Sequence, residues 1–427
     1  MSFFSRNKAL QHLLEQHLDQ LSHQENLSPD TILTALEAGS MVLLGNPAHN
    51  SLAPILVGQP ASVKVNANIG TSPLCNSPDA ENCKLAAAQK AGADTIMDLS
   101  IAGDLDALRI AMLQNCPLPL GTVPIYAVGQ RILDAGADIA SMNPEDLFTE
   151  ITRQVAQGVD FITVHCGLSR RGAALAANDK RTLGIVSRGG AMLARWMREN
   201  QRENPLLEDF DRLVDICLQN NVTLSLGDGL RPGAGIDAGD AAQWEEVINL
   251  GLLARRAHER GVQCMIEGPG HVPLHQVRTQ IQGIKRLTDN APLYVLGPLC
   301  CDSAPGYDHI AGAIGGALAV EAGVDFLCYL TPAEHLTLPD EDDVRAGVMA
   351  SRVAAHVGEV ALGRPRALER EKSMNAARRA LDWDAMTKAA LDPVILQKRR
   401  QLHKDEEVCA MCGKFCSVRM LREKASS

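Results

Sequence analysis

No run of apolar residues in this chain of 427 residues approaches the roughly 18–20 residues that a membrane-spanning helix needs. The N-terminus, Met1-Ser2-Phe3-Phe4-Ser5-Arg6-Asn7, lacks the apolar centre of a secretory signal and passes straight into an amphipathic pattern. Positive charge is also short. The formal net charge is -10, and the one basic run, Lys398-Arg399-Arg400, is soon followed by Asp405, Glu406 and Glu407. Nucleic acids and membrane surfaces call for a concentrated basic face, so neither is expected as a partner, and a small molecule is. No internal repeat or low-complexity tract stands out. The 12 cysteines, in a chain without a secretory signal, read as thiols and ligands rather than a disulfide frame, and the expected address is a reducing cytoplasm.

What the chain does contain is core material: 46% of residues are apolar and 22% charged, ordinary proportions for a globular protein. Three zones follow. Residues 1–60 read as a helical segment: Leu10, Leu13, Leu14, His17, Leu18 and Leu21 keep helical spacing, and Ser28-Pro29 opens a second helix with a cap and an N1 proline. Residues 61–363 alternate short β-branched runs with helical stretches, the mark of parallel βα units. Eight strands are expected, at 63–69, 95–99, 121–126, 161–165, 223–226, 263–266, 293–296 and 326–330. A ninth run, 183–186, follows the fourth strand too closely and belongs to a long loop. Eight units predict a closed (β/α)8 barrel. Residues 364–427 read as a charged helical arm ending in a cysteine motif.

Polar residues gather where the strands end: Asn68, Asp98, Tyr126, His165, Asp228 and Glu267. That is the barrel face on which active sites are built. Beyond it, Cys409-Ala410-Met411-Cys412-Gly413-Lys414-Phe415-Cys416 offers three soft thiolates within eight residues. On spacing alone an iron–sulfur cluster, a zinc knuckle using His403 and a redox Cys-x-x-Cys all stay open. After the sixth strand, Glu267-Gly-Pro-Gly-His271-Val-Pro-Leu-His275 suggests metal binding or acid–base work, and His335 after the eighth could add a nitrogen ligand. Ser187-Arg188-Gly189-Gly190 could cradle an anion, and Asp228-Gly229-Leu230-Arg231 sets a carboxylate beside a guanidinium.

Together, Asn66 to Gly70, Ser187 to Gly190, Leu224 to Gly233, Glu267 to Pro273 and Ala304 to His309 resemble the thiamin pyrimidine synthase family, in order from about Lys64 to Cys416. The resemblance implies a radical S-adenosylmethionine lyase acting on aminoimidazole ribotide. It also implies a (β/α)8 barrel, an electron donor of unknown identity, and a homodimer whose C-terminal arms are exchanged. Residue by residue, it makes Asn68, Met97, Tyr126, His165, Ser187, Arg188, Gly189, Asp228, Gly229, Leu230, Arg231, Glu267 and Tyr294 substrate contacts. It makes His271 and His335 ligands of a mononuclear zinc, and Cys409, Cys412 and Cys416 ligands of a [4Fe-4S] cluster that binds S-adenosylmethionine.

The chain departs from the family pattern at what the strand spacing makes the rim. It has Ser100-Ile101-Ala102-Gly103-Asp104 where Ser-Thr-Gly-Gly-Asp is typical, Ala127 for a glutamine, and Cys300-Cys301-Asp302-Ser303 before the Ala-Pro-Gly-Tyr-Asp-His motif. If these residues reshape the pocket, the expected product is 5-hydroxybenzimidazole, a cobamide lower-ligand precursor. The alternative is the phosphorylated methylpyrimidine of thiamine biosynthesis. Outside the family, a zinc-dependent barrel hydrolase with a structural zinc tail, or a non-enzymatic zinc module, would use the same histidines or cysteines.

Overall fold

The structure, a computed structural model, describes residues 3–177 and 181–423. The chain divides into two compact units, Met1–Gly358 and Glu359–Ser427. Ten strands form in the first unit: β1 (Val42–Leu44), β2 (Ile55–Val57), β3 (Lys64–Ile69), β4 (Thr95–Asp98), β5 (Leu120–Thr122), β6 (Phe161–Val164), β7 (Thr223–Leu226), β8 (Cys264–Glu267), β9 (Leu293–Leu296) and β10 (Phe326–Cys328). The last eight close a parallel barrel in the order β10-β3-β4-β5-β6-β7-β8-β9. The (β/α)8 barrel expected from the strand count is therefore present. The antiparallel pair β1–β2 was not anticipated, because its two strands are only three residues each.

The N-terminal segment forms as its pattern predicts. The helix Lys8–Glu25 buries Leu10, Leu13, Leu14 and Leu21. In the helix Pro29–Glu37, Ser28 accepts the amide of Thr31 and Pro29 occupies the first turn. The third expected strand is corrected. It stops at Thr122, and Pro124, which has no N–H for a ladder, opens the helix Pro124–Asp134. Tyr126 therefore sits in the first turn of a helix rather than at a strand end. Residues 183–186 are irregular, as expected, within a β6–β7 connection that also holds the helices Arg170–Ala176 and Arg188–Asn200.

A short signal recurs where strands begin. Gly92-Ala93-Asp94 precedes β4, Gly158-Val159-Asp160 precedes β6 and Gly323-Val324-Asp325 precedes β10. Each glycine ends a helix at positive φ, +87°, +108° and +123°, a conformation that suits glycine. Each aspartate then accepts a backbone amide at the start of the neighbouring strand: Val65 at 2.7 Å, Leu120 at 2.7 Å and Leu293 at 2.8 Å. His49 Nδ1 lies 2.8 Å from Asp160, and Lys285 Nζ 2.7 Å from Asp325. These carboxylates fix strand register at the floor of the barrel, opposite the face that carries the site.

The second unit contains the helices Pro365–Ala380, Trp383–Ala389, Pro393–Arg400 and Ser417–Glu423. Trp383 Nε1 donates to the Glu407 carbonyl at 2.8 Å, and the Arg400 guanidinium lies 4.1 Å from the Trp383 ring centre. These contacts tie the segment leading to Cys409 to the helix that begins at Trp383. Among the described residues, no helix is long and apolar enough to cross a membrane.

Candidate active site at the barrel mouth

A cavity lies at the C-terminal ends of the barrel strands. β3 gives it Asn68, β4 Met97, β8 Glu267 and β9 Tyr294. His165 follows β6, while Asp228 and Arg231 follow β7; Tyr126 and the capping Ser187 come from two helix starts. Nine of the expected substrate contacts therefore converge on one cavity.

Burial governs their charge. His165 is pushed down to about 3 by desolvation, with Arg231 adding to the effect, so its imidazole is neutral at physiological pH. Its Nε2 lies 2.9 Å from Ser187 Oγ, while its Nδ1 is buried without a protein partner. Asp228 is pushed up to about 8 by desolvation, against the pull of Arg231 at 3.0 Å and with some help from Glu267. Its Oδ2 is also buried and unpartnered. Desolvation raises the Glu267 carboxyl as well, although Thr163 and Ser225 both donate to its Oε1 at 2.7 Å. Asn66 donates to the Tyr294 hydroxyl at 2.8 Å and to Asn68 Oδ1 at 2.6 Å. The cavity thus offers one half-buried guanidinium, a neutral imidazole and carboxyls that burial drives toward protonation.

The remaining expected contacts are placed differently. Arg188 lies over the Tyr126 ring, 4.8 Å from its centre, and borders a second cavity that shares Asn68 and Leu99 with the first. Gly189 is required by close packing: a Cβ there would stand 2.4 Å from the His165 ring. Gly190 touches Gly229, where an added Cβ would meet the Gly229 carbonyl oxygen at 2.7 Å. Leu230 is fully buried, and neither it nor Gly229 borders the two cavities. Asp98 turns away from the first cavity and accepts the Ser100 amide at 3.0 Å. Sequence reasoning missed Asn66, Thr163, Ser225 and Cys328; Cys328 borders the cavity, and Asn68 Nδ2 donates to its sulfur at 3.0 Å. Period-two alternation could have found Thr163, two positions before His165, and Ser225 is its register partner on β7.

The two histidines expected as metal ligands, His271 and His335, lie with ring centres 5.4 Å apart. Asp302 Oδ1 lies 2.8 Å from His271 Nδ1, and Asp308 Oδ1 lies 3.2 Å from His335 Nδ1. Carboxylates on Nδ1 orient imidazoles for metal binding through Nε2. His335 also holds a left-handed φ of +61°, uncommon for a residue with a Cβ. Among the described residues no three His, Cys, Asp or Glu groups form a metal-holding array; the zinc expectation meets two fitting imidazoles, short of a complete ligand set. In the second unit, hydrogen bonds with Cys412, its backbone amide foremost, lower the Cys409 thiol, while Cys409 and Cys416 raise Cys412. Three cysteines within eight residues of sequence, one of them drawn toward thiolate, supply the soft donors of an iron–sulfur centre, although their sulfurs are not gathered into a three-ligand array here.

Of the departing residues, only Ile101 borders either cavity. Ala127 is buried against Leu105 and Leu108, the Ala102 carbonyl accepts Thr71 Oγ1 at 2.6 Å, and Cys300 donates to the Ala311 carbonyl at 3.2 Å. Cys301 points to Ser303. The expectation that these positions reshape the pocket is not met at four of the five.

Residues 5–423 match the radical SAM ThiC family. A phosphomethylpyrimidine synthase of Desulforamulus reducens is 48% identical over 408 residues, 95% of this chain and 94% of that protein. The enzymes of that name from Desulfotalea psychrophila and Dehalococcoides mccartyi are 46% identical over 417 residues and 47% over 409. Those alignments cover 97% and 96% of this chain, and 96% and 95% of the relatives. Among solved structures, a dihydropteroate synthase of Yersinia pestis aligns with 71% of this chain and 93% of its own, at TM-score 0.40 and 12% identity, too slight to bear on function. A match that spans the barrel and the cysteine motif leaves no room for a zinc hydrolase or a zinc module: the chain belongs to the radical SAM ThiC family.

Proposed function

We propose that this chain is a phosphomethylpyrimidine synthase, converting aminoimidazole ribotide to 4-amino-5-hydroxymethyl-2-methylpyrimidine phosphate for thiamine biosynthesis. The observation that carries the reading is the convergence of nine family-matched residues on one cavity, while all five departing positions stay outside it and only Ile101 borders the second. The relatives' printed name supports the same product.

Cys409, Cys412 and Cys416 would hold a four-iron cluster, which with S-adenosylmethionine supplies a radical able to take hydrogen from an unactivated carbon. The barrel's own residues bind and orient. Arg231 is the half-buried cation of the first cavity and Arg188 borders the second; both suit the substrate phosphate. Asp228 carries a proton at neutral pH and can donate from a carboxyl that has an unpartnered oxygen. Neutral His165 presents Nδ1 as a hydrogen-bonding atom without adding a second charge. Glu267, held by Thr163 and Ser225, lines the cavity that would receive the aminoimidazole ring. His271 and His335 would hold a mononuclear metal, zinc in the family pattern.

The test is product analysis. Reduced, anaerobically reconstituted protein given aminoimidazole ribotide and S-adenosylmethionine should yield the phosphorylated pyrimidine by mass spectrometry. Formation of phosphate-free 5-hydroxybenzimidazole instead would overturn the reading and make Ile101 the first residue to examine.

A further inference from the structure

We propose that Glu246 and Arg181, two buried side chains that border neither cavity, are positioning residues that hold the Asp228–Arg231 turn in its receiving geometry for substrate. This rests on the function proposed above. Within the turn the Arg231 N–H donates to the Asp228 carbonyl at 3.1 Å, which leaves the backbone groups of Leu230 to find partners elsewhere. Leu230, fully buried between the two cavity residues, finds both: its N–H donates to Glu246 Oε2 at 2.6 Å, and its carbonyl accepts from an Arg181 terminal nitrogen. Glu246 stands on the helix Ala241–Glu259 and is 2% exposed; Arg181 is 7% exposed, with Nε 3.1 Å from Asp240 Oδ2. The turn is wedged as well as bonded. Gly190 presses on the Gly229 backbone from one side, and a Cβ on Gly229 would come within 3.0 Å of Glu246 Oε1 from the other.

An aliphatic side chain at position 246 would fill the same space without the cost of burying a polar group. What it could not do is accept the Leu230 amide. Desolvation drives the Glu246 carboxyl well above the ordinary range, toward the neutral acid, while the Leu230 amide pulls the other way. Glutamine has the shape and the acceptor of that acid. Glu246→Gln should therefore behave like the native residue, while Glu246→Leu should not.

The experiment uses full-length, reconstituted enzyme in two readouts. Turnover of aminoimidazole ribotide should show KM raised on the order of tenfold or more in Glu246→Leu and Arg181→Met, with a smaller change in kcat, and Glu246→Gln within about threefold of native. Amide exchange, followed by mass spectrometry without substrate, should show the segment around Leu230 exchanging faster in Glu246→Leu and at the native rate in Glu246→Gln. Unchanged exchange in Glu246→Leu overturns the proposal, and so does a KM in Glu246→Gln as poor as in Glu246→Leu. Because exchange needs no substrate, it decides the positioning role even if the native enzyme rejects aminoimidazole ribotide, an outcome that would refute the proposed function separately.

Discussion

Replacing Gly189 by alanine adds a methyl group where the barrel mouth has no room for one. The new Cβ would stand 2.4 Å from His165 Cε1 and 2.6 Å from Nδ1, about an ångström inside ordinary carbon contact. The ring cannot swing away freely, because Nε2 is held by Ser187 at 2.9 Å and Cδ2 lies where a Cβ on Gly227 would be only 3.1 Å away. Either His165 leaves its position or the helix start lifts from Gly229. Overpacking of this kind costs about 1–3 kcal/mol, and losing the Ser187–His165 bond adds roughly 0.5–1.5 kcal/mol. Against this, alanine gains at most about 1 kcal/mol over glycine in a helix interior, and less in a first turn. The net loss is on the order of 1–4 kcal/mol, which in a chain of this size lowers the melting temperature by only a few degrees. Binding should suffer far more, because the displaced ring borders the cavity: KM for aminoimidazole ribotide should rise roughly tenfold. Differential scanning calorimetry and initial-rate kinetics check the two halves. A Gly189→Ala enzyme with native KM and native melting temperature would show that the ring does not sit over this glycine.

Asp228→Asn should flatten the pH dependence of stability. Its folded value near 8 lies above the ordinary 3.8, so the folded chain keeps a proton that the unfolded chain has released. The stabilisation is complete at low pH and is lost as pH rises toward 8, with a slope of at most about 1.4 kcal/mol per pH unit. Melting curves from pH 5 to 9 should converge at acid pH and separate in favour of the variant at alkaline pH; parallel curves would refute the shift. Serine at Cys409, Cys412 or Cys416 should abolish bound iron and 5′-deoxyadenosine formation while circular dichroism stays native, and full activity in any of the three would sink the cluster assignment. His271→Ala and His335→Ala should lose a mononuclear metal by elemental analysis yet keep the iron; native metal content in both would remove the two-histidine site.

The barrel was legible because parallel strands buried on both faces read as short apolar runs at regular intervals. Seven of the eight expected strands stand within two residues of their places at either end. The fifth strand of the chain failed for a local reason. Pro124 was read through as part of the run from Gly121, although a missing N–H there breaks the ladder and favours a helix start. The three Gly-x-Asp phrases escaped notice because their meaning is a tertiary one. An aspartate that precedes a strand looks like any polar loop residue until its partner, the first amide of the adjacent strand, is known.

The site divides along the same line. Residues expected to contact substrate stand mostly at strand ends and on glycine-rich turns, where sequence pattern and family resemblance both point. Residues that hold those residues carry no such mark. Glu246 lies in the middle of a helix whose other positions set the pattern, and Arg181 lies in a loop. Each is recognisable only as a charge-bearing group at a buried position, and burial is a property of the folded chain. The departing residues make the converse point. Ala127 and Cys300 follow motif residues closely in sequence, yet one packs on Leu105 and Leu108 and the other donates to the Ala311 carbonyl. Proximity in sequence to a strand end sets a residue near the mouth, but the direction of its side chain decides whether it can alter the product, and at these positions the side chains point into the protein's own packing.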